Sequence, residues 1–251
     1  MLALNIMIKN FKSKLNNFIT GMVGTTNSAT RDQWIISTLN SFDRGLKILD
    51  AGAGESKYKK YCTHLDYTSQ DFAEYDGEGD NKGIQKHTRD YSELDIISDI
   101  CDIPVEDSTY DIVLCSEVLE HIPDPSKALI ELNRVLKPNG IILLTAPFAS
   151  LTHYSPYHYA TGFNIHFYNF HLEKLGFEIL ESTPNGNYFE FLAQEIRRIE
   201  FAGKEFSDKK VRFVGKISIY VILYYLNKFS KNDKNSFELL NYGYHIKALK
   251  N

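Results

Sequence analysis

A chain of 251 residues, 43% of them hydrophobic, can bury one substantial core, and nothing in it reads as a disordered, collagen-like or repeat sequence. The formal net charge of −4 gives no global basic footprint, so the short basic stretches Lys9–Lys14, Lys57–Lys60 and Lys209–Lys216 leave nucleic acid outside the expected partners. Cys62, Cys101 and Cys115 form no CxxC pair and no disulfide framework, which suits a reducing cytoplasm.

Met1–Ile8 is apolar at several positions but lacks a basic region before it and a small-residue cleavage site after it, so no secretory signal is expected. The N-terminal region reads as helices, with Thr30 or Asp32 capping a segment that carries Trp34, Ile35, Ile36 and Leu39. Strand-like and helix-like runs then alternate. Lys47–Asp50 is a short buried strand, Lys57–Thr63 a helix start, Asp66–Phe72 a second strand and Ile96–Ile97 a third. Asp111–Cys115 is a fourth strand, apolar enough to be covered on both faces. Ser126 is expected to cap a helix with Leu129, Leu132, Val135 and Leu136 on one side, stopped by Pro138-Asn139-Gly140 before the strand Ile141–Ala146. His171–Leu175 resembles a helix ended by Gly176, Phe177–Glu181 another strand and Tyr244–Leu249 a last one. This order predicts a parallel sheet whose ligand lies beyond the carboxyl ends of its strands.

One domain is expected, with N-terminal helices over 1–45, a core over 46–185, a mainly helical insertion over 186–240 and the last strand within 241–251. Inside the insertion, Ile217–Leu226 is about half the ~20 residues a membrane-spanning helix needs. It reads as a helix packed on the main domain. Flanking Lys216 and Lys228 leave peripheral membrane contact as the other reading.

Ile48-Leu49-Asp50-Ala51-Gly52-Ala53-Gly54-Glu55-Ser56 sets a Gly-rich turn between a strand and a helix start, where Gly52 and Gly54 let a ligand approach the backbone. Asp71 follows at the end of the next strand, where a carboxylate accepts hydrogen bonds from both ribose hydroxyls; Glu74 and Asp76 lie close enough in sequence to share that role. A dinucleotide fingerprint needs glycine at position 57, and this chain has Lys57, which disfavours an NAD-dependent oxidoreductase. No Gly-Lys-Ser/Thr follows the turn, so it is not a P-loop. A nucleoside ligand fits what remains.

LDAGAGES resembles the first motif of the class I S-adenosylmethionine-dependent methyltransferases, and SDICDIPVEDSTYDIVLCSEVLEHIPDPSKALIELNRVLKPNGIILLTAPF is similar to the segment through that family's third, fourth and fifth strands. The likeness runs from about Leu46 to Glu181. It implies an α/β, Rossmann-like, mostly parallel seven-stranded sheet with helices on both faces, extra N-terminal helices and a helical C-terminal insertion. It also implies S-adenosylmethionine as cofactor, with Gly52 and Gly54 against the methionine part and Asp71 on the ribose; Asp50 is counted with these cofactor-binding residues, the other reading being that it only orients the turn. Asp99 and the Ile100 backbone N–H would meet the adenine, and Ser116 and Glu117 would border the sulfonium.

The stretch Pro147–Phe170 leaves the fifth strand carrying His153, Tyr154, Tyr157, His158, Tyr159, His166, Phe167 and Tyr168. Its aromatics suit an acceptor lid, with Tyr154, Tyr157 and the upstream His121 as acceptor contacts and His153 or His158 as a base for a hydroxyl acceptor. The other reading is a helix-packing aromatic loop. No carboxylate-rich ligand set accompanies His153 and His158 around Pro156, so no metal is expected. APFASLTHYSPYHYATGFNIHFYNFHLEKLGF further resembles bacterial methyltransferases associated with surface-polysaccharide assembly, which implies a small polar acceptor such as a sugar hydroxyl or a lipid-linked glycan. Here Ala160-Thr161-Gly162 replaces an arginine-containing step of many of those relatives. A catalytically silent S-adenosylmethionine-binding subunit, holding a partner through its aromatic insertion, is the alternative; oligomeric state is not legible.

Overall fold

The computed structural model describes residues 23–85 and 88–251; Met1–Ile8 and Lys9–Lys14, singled out above, lie outside them. The chain divides into two compact units, one of Ala29–Asn185 with Gly243–Asn251, the other of residues 23–28 with Gly186–Tyr242.

The larger unit is built on seven strands: β1 (Lys47–Ala51), β2 (Asp66–Asp71), β3 (Ile96–Ile97), β4 (Tyr110–Ser116), β5 (Leu136–Pro147), β6 (Phe177–Asn185) and β7 (Gly243–Lys250). They form one sheet in the order β3-β2-β1-β4-β5-β7-β6. β1 pairs in parallel with β2 and β4, and β7 runs antiparallel between β5 and β6. Both faces are covered, which is why β1 and β4 read as nearly unbroken apolar runs. Leu49, Ala51, Val113 and Cys115 face one core and Ile48, Ile112 and Leu114 the other. The order reverses at β1: the chain leaves toward β2 and β3, then returns to β4, opening a crevice at the carboxyl ends of β1 and β4.

Helix α1 (Asn27–Leu39) buries Ile35 and Leu39 in the second core. It begins before Thr30 and Asp32, so neither caps it; Asp32 instead accepts from Lys57 Nζ at 2.6 Å and the Tyr58 hydroxyl at 2.8 Å. The side chain at the position where a dinucleotide site needs glycine is thus engaged in clamping α1. Lys57–Thr63 yields only one helical turn, Lys59–Tyr61. Gly52, Gly54 and Ser56 all take positive φ, and the backbone they redirect leaves little room for helix before β2.

Helix α2 (Pro125–Val135) packs Ala128, Leu129, Leu132 and Val135 into the first core. Its cap is Asp124, whose carboxylate accepts from Lys127 N at 3.1 Å, with Pro125 at the first helical position; Ser126 lies inside the helix. The helix ends at Val135, ahead of Pro138, because Leu136 already pairs with Tyr110. Helix α3 (Ile165–Lys174) starts earlier than the pattern suggests, since Asn164 caps it, and Gly176 follows at φ +83°.

The smaller unit holds α4 (Tyr188–Ser207), capped by Asn187, and α5 (Phe213–Lys231) around Val23, Ala193, Leu223 and Leu226. The apolar run Ile217–Leu226 therefore packs within this unit through Leu223 and Leu226, while Ile217, Val221, Ile222 and Tyr225 of the same helix stay exposed. Among the described residues no helix is long and apolar enough to cross a membrane.

Candidate functional site

At the crevice, the first turn after β1 is fixed by backbone chemistry. Gly52 N donates to Gln70 O at 2.8 Å, and Gly52 takes φ +76° with a Cβ there falling 2.3 Å from Val118 Cγ2. Glycine is required twice over, by conformation and by space. Gly54 N donates to Asp71 Oδ2 at 2.9 Å, and Ala73 N to Asp71 Oδ1 at 3.0 Å. Asp71 is 4% exposed, and one accepted bond per oxygen leaves further acceptor capacity on both. Asp76, its neighbour in sequence, spends Oδ1 on Glu78 N and Gly79 N in an exposed turn.

These groups wall a cavity of about 430 Å³, within the usual range for a small-ligand site. Gly52, Asp71, Asp99, Ile100, Glu117, His121, Tyr154 and Tyr157 all line it. Asp50, Gly54, Ser116, His153 and His158 are not among its lining residues. Ser116 Oγ meets Thr145 Oγ1 at 2.9 Å, Thr145 reaches Glu117 Oε1 at 3.1 Å, and Arg31 Nη1 pairs with Glu117 Oε2 at 2.7 Å. Glu117 is held at φ +56°. Asp99 Oδ1 accepts from Cys101 N at 2.8 Å, which makes its carboxylate part of a local turn at the cavity wall.

Four carboxylates (Asp71, Glu74, Asp99 and Glu117) face this cavity against one described guanidinium, that of Arg89. Such a wall favours a cationic ligand and opposes a pyrophosphate. The fit to S-adenosylmethionine rests on that charge, on the spare acceptor capacity of Asp71, and on Phe72, Ile97 and Ile100 as apolar lining for a base.

Asp50 sits under the turn, accepting the Tyr67 hydroxyl at 2.6 Å. Burial, opposed by that hydrogen bond, pushes its pKa up to about 7. Between the ordinary carboxylate range and pH 7 the ligand-free folded state then holds a proton that the unfolded chain has lost. This contribution to stability is complete below about pH 4 and is lost as pH rises through 7, amounting to roughly 4 kcal/mol at most. Asp50→Asn is expected to abolish this slope in ligand-free protein, read as chemical-denaturation stability from pH 4.5 to 8; parallel profiles for variant and wild type would contradict it.

The loop after β5 folds over the cavity mouth and is tied to the segment before β3. Ile84 N donates to Thr152 O and Tyr154 N to Ile84 O, while Tyr154 stacks edge-on with Tyr75 and lies 4.8 Å from the Arg89 guanidinium. His121 Nδ1 donates to the Tyr157 carbonyl at 2.6 Å, and His153 Nδ1 to the Leu151 carbonyl at 2.8 Å. Ser150 gives its proton to Thr161 O, so the 3.2 Å contact to His158 Nε2 is donated by the imidazole. The three rings cluster, with His121 4.7 Å from His153 and 6.0 Å from His158. Burial, then the neighbouring His153, lowers the pKa of His121 to about 3.

Two placements differ from what the sequence suggests. Of the three histidines His121 reaches the cavity, with His153 and His158 packed against it. A carboxylate also joins the imidazoles: Glu120, His121 and His153 bring one ligand atom each within 4.8 Å of one another, although Glu120 lies on a different loop from Pro156. Arg31, Gln70 and Arg89 were not read from the sequence. Gln70 Nε2 donates to Ser98 O at 2.7 Å and ties the glycine turn to the loop after β3. Only the fold brings these positions to the site, so no local pattern marked them.

Residues 49–144 match the profile of the family described as Methyltransferase domain. Among curated relatives, a ubiquinone biosynthesis O-methyltransferase from Pasteurella multocida is 45% identical over 40 residues, 16% of this chain and 16% of that protein. A demethylmenaquinone methyltransferase from Staphylococcus haemolyticus is 33% identical over 105 residues, 39% of this chain and 42% of that protein. The matches thus span well under two thirds of either relative. In structure, Haemonchus contortus phosphoethanolamine N-methyltransferase 2, solved with S-adenosyl-L-methionine, superposes with a TM-score of 0.52 at 18% identity, covering 94% of this chain and 56% of that one. At that identity the superposition shows the fold.

Proposed function

We propose that this chain, whose residues 49–144 form a methyltransferase domain of the class I, S-adenosylmethionine-dependent kind, is an enzyme that methylates a hydroxyl of a small polar acceptor. The observation that carries this reading is the cavity itself, whose lining gathers Gly52, Asp71, Asp99 and Glu117 with His121, Tyr154 and Tyr157. S-adenosylmethionine supplies, when bound, a methyl group on a sulfonium, which an acceptor oxygen takes as the carbon–sulfur bond breaks. Asp71 and Asp99 hold the nucleoside end, and Glu117, oriented by Arg31 and Thr145, keeps negative charge on the cofactor wall. Tyr154 and Tyr157 orient the acceptor and exclude water. Much of the acceleration comes from that positioning. His153 or His158 accepts the hydroxyl proton. The tyrosine-rich mouth suits the apolar face of a sugar ring, which makes a sugar hydroxyl our first acceptor; the exposed apolar side of α5 leaves room for a lipid-linked one.

Calorimetric titration with S-adenosylmethionine and, separately, NAD tests the cofactor: saturable binding of the first alone is expected, and its absence in folded protein would overturn the reading. Labelled methyl transfer to a panel of glycosides and of catechols then tests the acceptor, with catechols alone accepting label refuting the sugar. His153→Ala and His158→Ala are each expected to keep cofactor affinity. The variant lacking the base should lose about 10²–10⁴-fold in turnover. Full activity in both would return the two histidines to loop packing.

A further inference from the structure

The side chain of Glu120 is 1% exposed, and its Oε2 has no hydrogen-bond partner among the described residues. A carboxyl so placed gives up its hydration without the hydrogen bonds or the cation that would compensate it. Arg31, the cation of this region, pairs with Glu117 instead. What lies next to Glu120 is imidazole: His121 Nε2 is 3.7 Å from Oε1.

Both imidazoles of the cluster are arranged as metal ligands are. A carbonyl can only accept, so the bonds to Tyr157 O and Leu151 O place a proton on Nδ1 of His121 and of His153 and leave the lone pair on Nε2 of each neutral ring. Zinc bonds near 2.0–2.1 Å set tetrahedral ligand–ligand edges of roughly 3.4 Å. Separations of up to 4.8 Å therefore close with side-chain movements on the order of 1 Å.

We propose that Glu120, His121 and His153 bind one divalent transition-metal ion, zinc being the ion that two imidazoles and one carboxylate suit, with its fourth position toward the cavity that His121 lines. Binding stands independently of methyl transfer; only its use rests on that reading. In that use the ion takes the acceptor oxygen and lowers the pKa of its hydroxyl. The proton passes to Nδ1 of His158, whose Nε2–H is donated to Ser150, the oxygen bonds the methyl carbon, and the carbon–sulfur bond breaks. His153 then serves as a ligand, leaving His158 as the base.

Untagged, chelator-stripped protein is titrated with zinc alone against a chromophoric chelator, and cobalt-loaded protein is examined for visible d–d absorption. One equivalent per chain is expected. The near-isosteric Glu120→Gln, and His121→Gln, should each weaken zinc binding on the order of 100-fold or more, since outer-shell changes alone cost roughly 10–100-fold. Both should also lose the cobalt bands while keeping the wild-type circular dichroism. His166→Gln, at an exposed position on α3, should change nothing. Absence of stoichiometric binding, or binding that survives in Glu120→Gln and His121→Gln, overturns the site. Protein that binds S-adenosylmethionine but not zinc refutes this proposal and spares the methyltransferase reading; zinc binding without S-adenosylmethionine binding does the reverse.

Discussion

Asp71→Ala is expected to weaken S-adenosylmethionine binding by about 30- to 1000-fold, a loss of roughly 2–4 kcal/mol. Two effects add. In the role we propose for it, removing the carboxylate deletes hydrogen bonds to the ribose hydroxyls, worth about 1.5–3 kcal/mol for a charged acceptor. It also strips Gly54 N and Ala73 N of their acceptor, so the turn that lies against the cofactor loses its tie to β2. The second effect appears without any ligand, as a lowered midpoint of unfolding. Asp71→Asn keeps an acceptor oxygen and should fall between wild type and alanine in both measurements. If calorimetry finds affinity unchanged in Asp71→Ala, the ribose contact passes to Glu74, which also lines the cavity. Asp76 is not the substitute, because it is exposed in its own turn and does not line the cavity.

Gly52→Ala should be the most disruptive single methyl in the larger unit's site. At φ +76° an L side chain costs about 1–2 kcal/mol, and overpacking costs about 1–3 kcal/mol, so a loss of roughly 2–5 kcal/mol is expected together with loss of cofactor binding. The collision has an identifiable partner. The added Cβ would lie 2.3 and 2.8 Å from the two Val118 methyl carbons. Val118→Ala in the same chain removes both, leaving the backbone strain, and should restore part of the stability without restoring all of it. Thermal unfolding of the single and double variants measures this. Equal destabilisation in both would mean that conformation alone demands glycine, and no destabilisation in either would refute the turn geometry.

Much of the fold was legible because both faces of the sheet are buried, so β1, β4 and β5 carry apolar runs at the spacing of alternating helices, whereas β2 (Asp66–Asp71) is largely polar and was marked by its place after the glycine turn. The glycine turn was legible for a local reason: tight turns and close approach leave their requirement in the identity of Gly52 and Gly54 themselves. Misreadings fell where a local signal met a stronger tertiary one. Ser126 is a good cap residue, but Asp124 precedes a proline that fits the first helical position, and Lys57–Thr63 has helical spacing in a segment whose backbone turns too often to use it.

The sequence by itself determined the α/β class, the strand that carries the glycine turn, the carboxylates that follow it, and the histidine- and tyrosine-rich character of the loop after β5, because each is written in contiguous residues. Only the tertiary structure decided which of them meet. Arg31 reaches Glu117 across 86 positions, and His153 comes to Glu120 and His121 only when the loop after β5 folds back over the sheet. Side-chain constellations of that kind depend on the order in which strands pair, and a parallel sheet assembles its site from strand ends that are distant in sequence.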